Sequence, residues 1–305
     1  METAKRAVRP QPTGAQPGAD RERIGLIGVG LLGTAMAERL LGGGFDVVGF
    51  DREPACMDRL RTLGGKAAGS ATELAENCRR IFLSLPNSEV VQGVLGQIRS
   101  VLRPGDIVID TTTGDPRLAT ESGRALEPLG VTYLDAAICG NSEELRRGDV
   151  LVVAGGPAAA FDECQDLFSV FARRSWRMGD WGTGSKMKLT TNLVLGLNRA
   201  VLAEGLSFAG ALGVDPALAL TVLLASSSYS RVMDLKGGKM LARDFTPQAR
   251  LSQHLKDVRL ILEAGAEAGA KLPLSEQHRQ LLQQAEAAGL GGLDNSAVIE
   301  VFRHM

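Results

Sequence analysis

Cysteine and histidine are scarce in this chain of 305 residues, and neither is clustered along the sequence. The four cysteines contain no C-x-x-C pair and the three histidines are widely spaced; they are Cys56, Cys78, Cys139, Cys164, His254, His278 and His304. This spacing argues against a disulfide framework and against a structural zinc site. We therefore expect free thiols, no metal and a reducing, cytoplasmic setting.

The chain also lacks a strong charge of either sign and a segment suited to a membrane. A formal net charge of -1 provides no basic footprint for nucleic acid or an anionic membrane, so we expect neither as a partner. The longest apolar region, 189–212, is interrupted by Asn198, Arg199 and Glu204, which favours a buried helix over a membrane span. Residues 1–22 carry no signal-peptide core and are expected to form a flexible tail.

The pattern of strand-like and helix-like segments changes once, near residue 184. Before it, short β-branched runs alternate with helical patterns, as a parallel sheet with crossover helices requires. The predicted strands are Ile24–Ile27, Asp46–Phe50, Arg80–Ser84, Ile107–Asp110, Val131–Leu134 and Val150–Val153, and the first predicted helix is Leu31–Leu41. After it, long segments rich in Ala, Leu, Glu and Gln predict helices only. We predict an α/β fold: a Rossmann-type, doubly wound domain at 23–183 and an all-α domain at 184–305, joined by a long interdomain helix from Ser185.

A glycine pattern, Gly28-x-Gly30-x-x-Gly33, joins the first predicted strand to the first predicted helix, with Leu31 and Leu32 inside it. In a dinucleotide-binding loop the first glycine permits a tight turn, the second lets the backbone approach a pyrophosphate, and the third permits close helix packing. The helix N-terminus then faces the phosphate charge. We assign all five residues to cofactor binding, with a plain strand–helix turn as the alternative.

Asp51 closes the second predicted strand, at about the spacing from the glycines that the motif requires. A carboxylate there accepts hydrogen bonds from the ribose hydroxyls and repels a 2′-phosphate, which favours NAD. Arg52 follows directly, and its guanidinium can pair with a 2′-phosphate. We therefore predict NAD as the cofactor and keep NADP as the alternative, with both residues at the nucleotide.

Lys188 and Asn192 stand at the start of the long apolar stretch, just after Gly182 and Gly184. Four residues apart on a helix, their side chains project from one face, whereas Lys186 points to the other side. A first-turn lysine that only reaches to water is the structural alternative. Beside a dinucleotide loop, however, the pair indicates a reaction centre, with Lys188 as general acid or base and Asn192 holding the substrate.

Five motifs in this order resemble the β-hydroxyacid dehydrogenase family, which includes the 3-hydroxyisobutyrate, tartronate-semialdehyde, 4-hydroxybutyrate and 6-phosphogluconate dehydrogenases. They are the glycine loop continued as Gly33-Thr34-Ala35-Met36-Ala37, Ser84-Leu85-Pro86, Asp110-Thr111-Thr112-Thr113, Gly182-x-Gly184-x-x-x-Lys188-Leu189-x-x-Asn192, and Lys256-Asp257. The resemblance spans Arg23 to Val301. It implies hydride transfer between a nicotinamide cofactor and a small β-hydroxy acid or its semialdehyde, with Lys188 catalytic. It also implies that Leu85, Pro86, Thr113 and Lys256 lie at the cofactor.

One motif departs from the family pattern. Where the family's substrate loop reads D-A-P-V-S-G-G, this chain has Asp135-Ala136-Ala137-Ile138-Cys139-Gly140-Asn141. A thiol replaces a serine hydroxyl at Cys139, and it is a poorer hydrogen-bond donor. Asn141 replaces a glycine and adds volume. We expect Cys139, Gly140 and Asn141 to contact the substrate, and the replacements at Cys139 and Asn141 to alter which hydroxy acid is accepted.

The resemblance also implies a homodimer or homotetramer with contacts between helical domains. Two other functions are considered. Imine reductases share the architecture but carry a different residue at the position of Lys188, and a non-catalytic dinucleotide-binding module would be expected to lose that lysine. The polar segment 226–230 is a further candidate pocket wall, or a simple turn between helices.

Overall fold

The computed structural model describes residues 21–303, and the first part of the predicted tail, residues 1–20, lies outside the described range. One sheet of eight strands has the order β3-β2-β1-β4-β5-β6-β7-β8. The strands are β1 (Arg23–Ile27), β2 (Asp46–Phe50), β3 (Lys66–Ala67), β4 (Arg80–Leu83), β5 (Ile107–Asp110), β6 (Thr132–Cys139), β7 (Val150–Gly155) and β8 (Ala172–Gly179). All neighbours are parallel except the β6–β7 pair. The predicted doubly wound α/β architecture is confirmed.

Helices cover both faces of this sheet, and the elements that follow β8 in the described residues are helical. They are α1 (Leu31–Gly42), α2 (Pro54–Thr62), α3 (Ala71–Asn77), α4 (Ser88–Ile98), α5 (Pro116–Leu126), α6 (Ser142–Arg146), α7 (Ala158–Glu163), α8 (Gln165–Phe171), α9 (Thr183–Ala211), α10 (Pro216–Ala225), α11 (Arg231–Ala242), α12 (Leu251–Glu267), α13 (Pro273–Ala287) and α14 (Ile299–Arg303). Two apolar clusters lie against the sheet, and a third lies among α9 to α14.

The six predicted strands are present, and two further strands were not predicted. The central strands β4 and β5 are buried along their whole length. Because buried parallel strands consist of nearly continuous apolar residues, the sequence predicts both of them. The unpredicted strands β3 and β8 form the two edges of the sheet. β8 reads ARRSWRMG and is largely exposed, so it carries no apolar run. β6 also extends further than predicted, because it continues through Cys139.

Helix α9 begins at Thr183 and is 29 residues long, or about 44 Å at 1.5 Å per residue. Its first turn is attached to the sheet: the Asp135 carboxylate of β6 accepts the backbone N–H groups of Gly182, at 3.0 Å, and Ser185, at 2.8 Å. By length and composition alone, it is the one helix within residues 21–303 that could cross a membrane. It packs against β6 and β7 and against α10 to α14. The domain boundary at residues 183 and 184 stays a prediction.

Candidate active site

A cavity of about 960 Å³ lies between the carboxyl ends of the strands and the helices that follow α9. The predicted cofactor residues that line it are Gly28, Gly30, Leu31, Leu32, Asp51, Arg52, Leu85, Pro86 and Thr113. The predicted catalytic and substrate residues Lys188, Asn192, Cys139, Gly140 and Asn141 line it as well. Two predicted residues, Gly33 and Lys256, are not part of its wall. The cleft therefore joins motifs that are far apart in the sequence.

Each of the three glycines of the β1–α1 loop has a different structural role. Gly28 has φ +93°, and a Cβ there would lie 2.3 Å from the Ser84 carbonyl oxygen. A Cβ on Gly33 would lie 2.1 Å from the Gly28 carbonyl oxygen, so Gly33 shapes the loop from outside the cleft. Gly30 has open space around its Cβ position, and it precedes α1 without a side-chain cap. The loop thus presents uncapped helix N–H groups and an unobstructed approach, as a pyrophosphate requires.

Asp51 is fixed at the end of β2 by the backbone of the same loop. Its carboxylate accepts the N–H of Val29 at 2.7 Å and the N–H of Glu53 at 2.9 Å. Arg52 lies beside it on the cleft wall. The arrangement holds one carboxylate where the ribose of a dinucleotide would follow the pyrophosphate, and it fits the predicted cofactor.

The ends of β4 and β5 form the next part of the wall. The N–H of Leu85 donates to the Thr112 hydroxyl at 3.1 Å, which links the two strand ends. Burial raises the pKa of Asp110 to about 6, although the Tyr133 hydroxyl donates to this carboxyl at 2.6 Å. The Lys256 ammonium of α12 donates to the carbonyl oxygens of Pro86, at 3.1 Å, and Thr113, at 2.5 Å. Lys256 thus contacts the cofactor-side loops, and its contact with the cofactor stays a prediction.

Lys188 and Asn192 lie on the buried face of α9, and Lys188 is only 7% exposed. The Asn192 amide donates to the Asp257 carboxylate at 2.9 Å. Burial raises the pKa of Asp257, while Lys256 and Lys188 oppose this shift. No described residue forms a hydrogen bond with the Lys188 ammonium, which leaves it available to a ligand in the cleft. Asp257 was not predicted as a site residue, although the Lys256-Asp257 motif contains it.

Residues 23–180 match the NAD binding domain of 6-phosphogluconate dehydrogenase, and residues 182–302 match the family described as NAD-binding of NADP-dependent 3-hydroxyisobutyrate dehydrogenase. The chain belongs to the β-hydroxyacid dehydrogenase family. It is an NAD(P)-dependent oxidoreductase by this membership, with NAD or NADP as its nicotinamide cofactor.

Individual relatives cover nearly the whole chain. L-threonate dehydrogenase of Cupriavidus necator is 31% identical over 283 residues, which is 92% of this chain and 95% of the relative. 2-(Hydroxymethyl)glutarate dehydrogenase of Eubacterium barkeri is 31% identical over 287 residues, 93% of this chain and 95% of the relative. The crystal structure of 3-hydroxyisobutyrate dehydrogenase from Salmonella typhimurium has a TM-score of 0.85 at 27% identity, covering 92% of this chain and 99% of that one.

The segment in which this family member departs from the family pattern turns directly into a helix. Asn141 lies in extended backbone and caps α6, since its side-chain oxygen accepts the N–H groups of Glu143 and Glu144. Its own N–H donates to the Glu144 carboxylate at 3.1 Å. The Cys139 sulfur lies 3.4 Å from the Thr191 hydroxyl of α9. Asn141 is therefore largely engaged by the fold, whereas Cys139 links the strand end to the helix that carries Lys188.

The inner end of the cleft contains polar residues that the sequence did not reveal as a site. Among them are Arg199, Lys236, Gln248 and His254. Lys236 donates to both oxygens of Asp294 at 2.9 Å and to Gln248 at 3.1 Å. Arg199, in contrast, stands out in the sequence only as an interruption of an apolar run. The segment 226–230 is a turn between α10 and α11 and does not line the cleft.

His254 of this inner end packs against a second histidine, His278, which is not part of the cleft wall. The rings of His254 and His278 are 5.2 Å apart, and both pack on α9 at Gly196. A Cβ on Gly196 would lie 2.3 Å from the His254 Nε2 atom. Burial lowers the pKa of His278 to about 4 and that of His254 well below its ordinary value. Both imidazoles are therefore neutral at neutral pH.

Proposed function

We propose that this family member interconverts a small β-hydroxy acid and its semialdehyde, with Lys188 as the general acid or base. The observation that carries the proposal is that Lys188, buried on α9, lines the same cleft as the glycine loop. When bound, the nicotinamide cofactor supplies the hydride acceptor or donor of the reaction. The names of the relatives, which include an L-threonate dehydrogenase, support a hydroxy acid as the substrate.

Each residue of the Lys188 group has a part in handling the substrate oxygen. The Lys188 amine accepts a proton from the substrate hydroxyl during oxidation, and the ammonium returns it during reduction. Asn192 holds the same oxygen in line, and its own orientation is set by the hydrogen bond to Asp257. The segment Cys139–Gly140 contacts the substrate from the sheet side. A thiol there in place of a hydroxyl gives a pocket that differs from that of the family pattern.

For the cofactor we propose NAD over NADP, because the Asp51 carboxylate is held at the ribose end of the loop by two backbone N–H groups. The 2′-phosphate of NADP would place further negative charge next to the negative Asp51 carboxylate. Arg52 works against the preference. The free thiols of all four cysteines support a reducing cytoplasmic compartment, which cell fractionation with an antibody to the protein would check.

The test of the function is Lys188→Ala, measured as absorbance at 340 nm with NAD and NADP against a panel of hydroxy acids and semialdehydes. The rate should fall by about 10² to 10⁴, the usual worth of a positioned general acid or base. Dinucleotide binding should be retained, because the glycine loop lies on the other side of the cleft. Lys188→Arg should not restore the rate, since a guanidinium does not release its proton near neutral pH.

Lys186→Ala is the matched control, because Lys186 is exposed on the same helix and does not line the cleft. It should retain the parental rate. A Lys188→Ala enzyme that turned over at close to the parental rate would overturn the proposed mechanism. Activity on cyclic imines without activity on any hydroxy acid would point to the imine reductase alternative.

We further propose a homo-oligomer, a dimer or a tetramer, formed through the helical part of the chain. Large apolar side chains of α9 and α10 are more than half exposed, among them Val201 (64%), Phe208 (62%) and Val222 (60%). An apolar surface of this kind on two contacting helices is typical of a subunit interface. Light scattering at micromolar concentration should give a multiple of 32.2 kDa.

A paired substitution sharpens this test. Phe208→Glu should lower the mass or weaken the assembly, because it places a charge in the apolar contact. Leu274→Glu, at an exposed position of α13, should leave the mass unchanged. A parental protein that is a monomer at micromolar concentration would refute the oligomer.

A further inference from the structure

Arg199 lies on the same face of α9 as Lys188 and Asn192, about three turns further along. It is only 3% exposed, and it lines the cleft with them. Its Nε and Nη1 atoms are buried and have no hydrogen-bond partner within residues 21–303. A guanidinium carries a full positive charge, and burial of a charge without a partner is costly. The position calls for a ligand that supplies the missing contacts.

The other charged side chains around Arg199 already interact with one another. Lys236 is paired with Asp294, and Asp257 binds Asn192 and lies 3.2 Å from the Lys256 ammonium. Burial lowers the pKa of Arg199 to about 10, so the side chain carries its charge at neutral pH. The inner end of the cleft therefore has a positive charge that no described carboxylate contacts.

His254 adds a second unused polar group at the same place. Its Nε2 atom is buried against Gly196 of α9 and has no hydrogen-bond partner among the described residues. The ring also lines the cleft. Because this imidazole is neutral at neutral pH, a ring N–H can donate to an anionic oxygen without adding charge. The Arg199 guanidinium and the His254 imidazole each have nitrogen atoms without a partner among the described residues, and together they form a set of donors suited to a carboxylate or a phosphate.

We infer that Arg199 and His254 bind a second anionic group of the substrate, so that the substrate is a hydroxy acid with an additional carboxylate or phosphate at its far end. The inference rests on the proposed function, because it takes Lys188 as the reacting end of the cleft. The backbones of Lys188 and Arg199 are separated by about 16 Å along α9 at 1.5 Å per residue. The second anionic group is therefore several bonds away from the carbinol carbon.

The first experiment measures binding and needs no turnover. The enzyme saturated with NAD or NADP is titrated calorimetrically with glutarate, adipate and suberate, and with the monocarboxylates of equal length. We expect at least one diacid to bind about tenfold or more tightly than its monoacid, and Arg199→Met to abolish this difference. Lys186→Met, which removes an exposed charge from the same helix, should keep it. Phosphonate-terminated acids of the same lengths distinguish a phosphate from a carboxylate as the preferred group.

Folding of the variants is checked by thermal denaturation. Arg199→Met should melt at or above the temperature of the parent, because it removes a buried charge that has no partner. Arg199→Lys keeps the charge but loses the planar pair of donors, so it should retain only part of the diacid preference. Equal binding of diacids and monoacids by the parent would overturn the inference, as would a preference that survives in Arg199→Met.

The second experiment separates this inference from the proposed function. Turnover is followed at 340 nm with 3-hydroxy acids that end in either a carboxylate or a methyl group. The inference predicts a higher kcat/KM for the carboxylate-ended series in the parent and not in Arg199→Met. Equal turnover of both series would leave the dehydrogenase in place and remove the second anion site. A diacid binding preference without any turnover would instead keep the anion site and refute the proposed function.

Discussion

The two walls of the cleft differ in how their polar groups are used. On the sheet side, Asp51 accepts two backbone N–H groups, and Asp110 accepts the Tyr133 hydroxyl, so the acidic groups are already held. On the helical side, Arg199 and His254 retain buried polar atoms without partners among the described residues. The sheet side is thus organised mainly through its backbone for a ligand of fixed shape. The helical side keeps side-chain hydrogen-bonding capacity that no described residue uses.

Acid should have its largest effect on the helical side of the cleft, through His278, whose ring packs against His254. Its pKa is lowered in the folded state to about 4 from 6.5, so its contribution to stability is present above pH 6.5 and is lost as the pH falls towards 4. The loss is at most roughly 3 kcal/mol at 1.36 kcal/mol per pKa unit. His278→Gln should flatten this part of the profile, measured by urea unfolding between pH 7.5 and pH 4.5. An unchanged slope in the variant would show that the pair with His254 does not titrate as described.

Gly30→Ala tests whether the sheet side acts through its backbone. A methyl group at Gly30 meets no protein atom within 4 Å, so the melting temperature should be preserved. Dinucleotide binding should nevertheless weaken by about 1–3 kcal/mol, the usual cost of forcing a methyl group into space that another group must fill. The measurement is calorimetric titration with NAD and with NADP. Gly96→Ala, in α4 and equally uncrowded, is the control and should bind both dinucleotides normally.

A smaller effect is expected at Asp51, the residue that we propose favours NAD over NADP. Asp51→Ala should weaken NAD binding by about 1.5 kcal/mol, the lower range for a hydrogen bond to a charged group. NADP binding should stay unchanged or improve, so the gap between the two dinucleotides narrows or reverses. Asp51→Asn keeps the shape and separates lost charge from lost packing. Equal affinities for NAD and NADP in the parent would mean that Arg52 offsets Asp51, and the preference for NAD would be wrong.

The same contrast explains what the sequence could and could not predict. The glycine loop and the Lys188–Asn192 pair were predictable because their geometry is local: a strand end, a turn, and two side chains one helical turn apart. The edge strand β8 was missed because an exposed edge needs no apolar alternation. The hydrogen bond from Asn192 to Asp257 crosses 65 positions of sequence, and no periodicity reports such a contact. In the sequence, Arg199 is only a charge that interrupts an apolar run; that its Nε and Nη1 atoms have no partner among the described residues is a property of the folded protein.

The attachment of α9 to β6 has a mechanical consequence. Asp135 of β6 holds the first turn of α9, and Cys139 at the end of that strand contacts Thr191, about two turns further along the helix. Lys188 lies between these two points of attachment. The end of β6 and the backbone of Lys188 are therefore held together, so a displacement of this part of α9 would move both. The outer helices α10 to α14 take no part in these two attachments, so the position of the Lys188 backbone relative to Cys139 is set by β6.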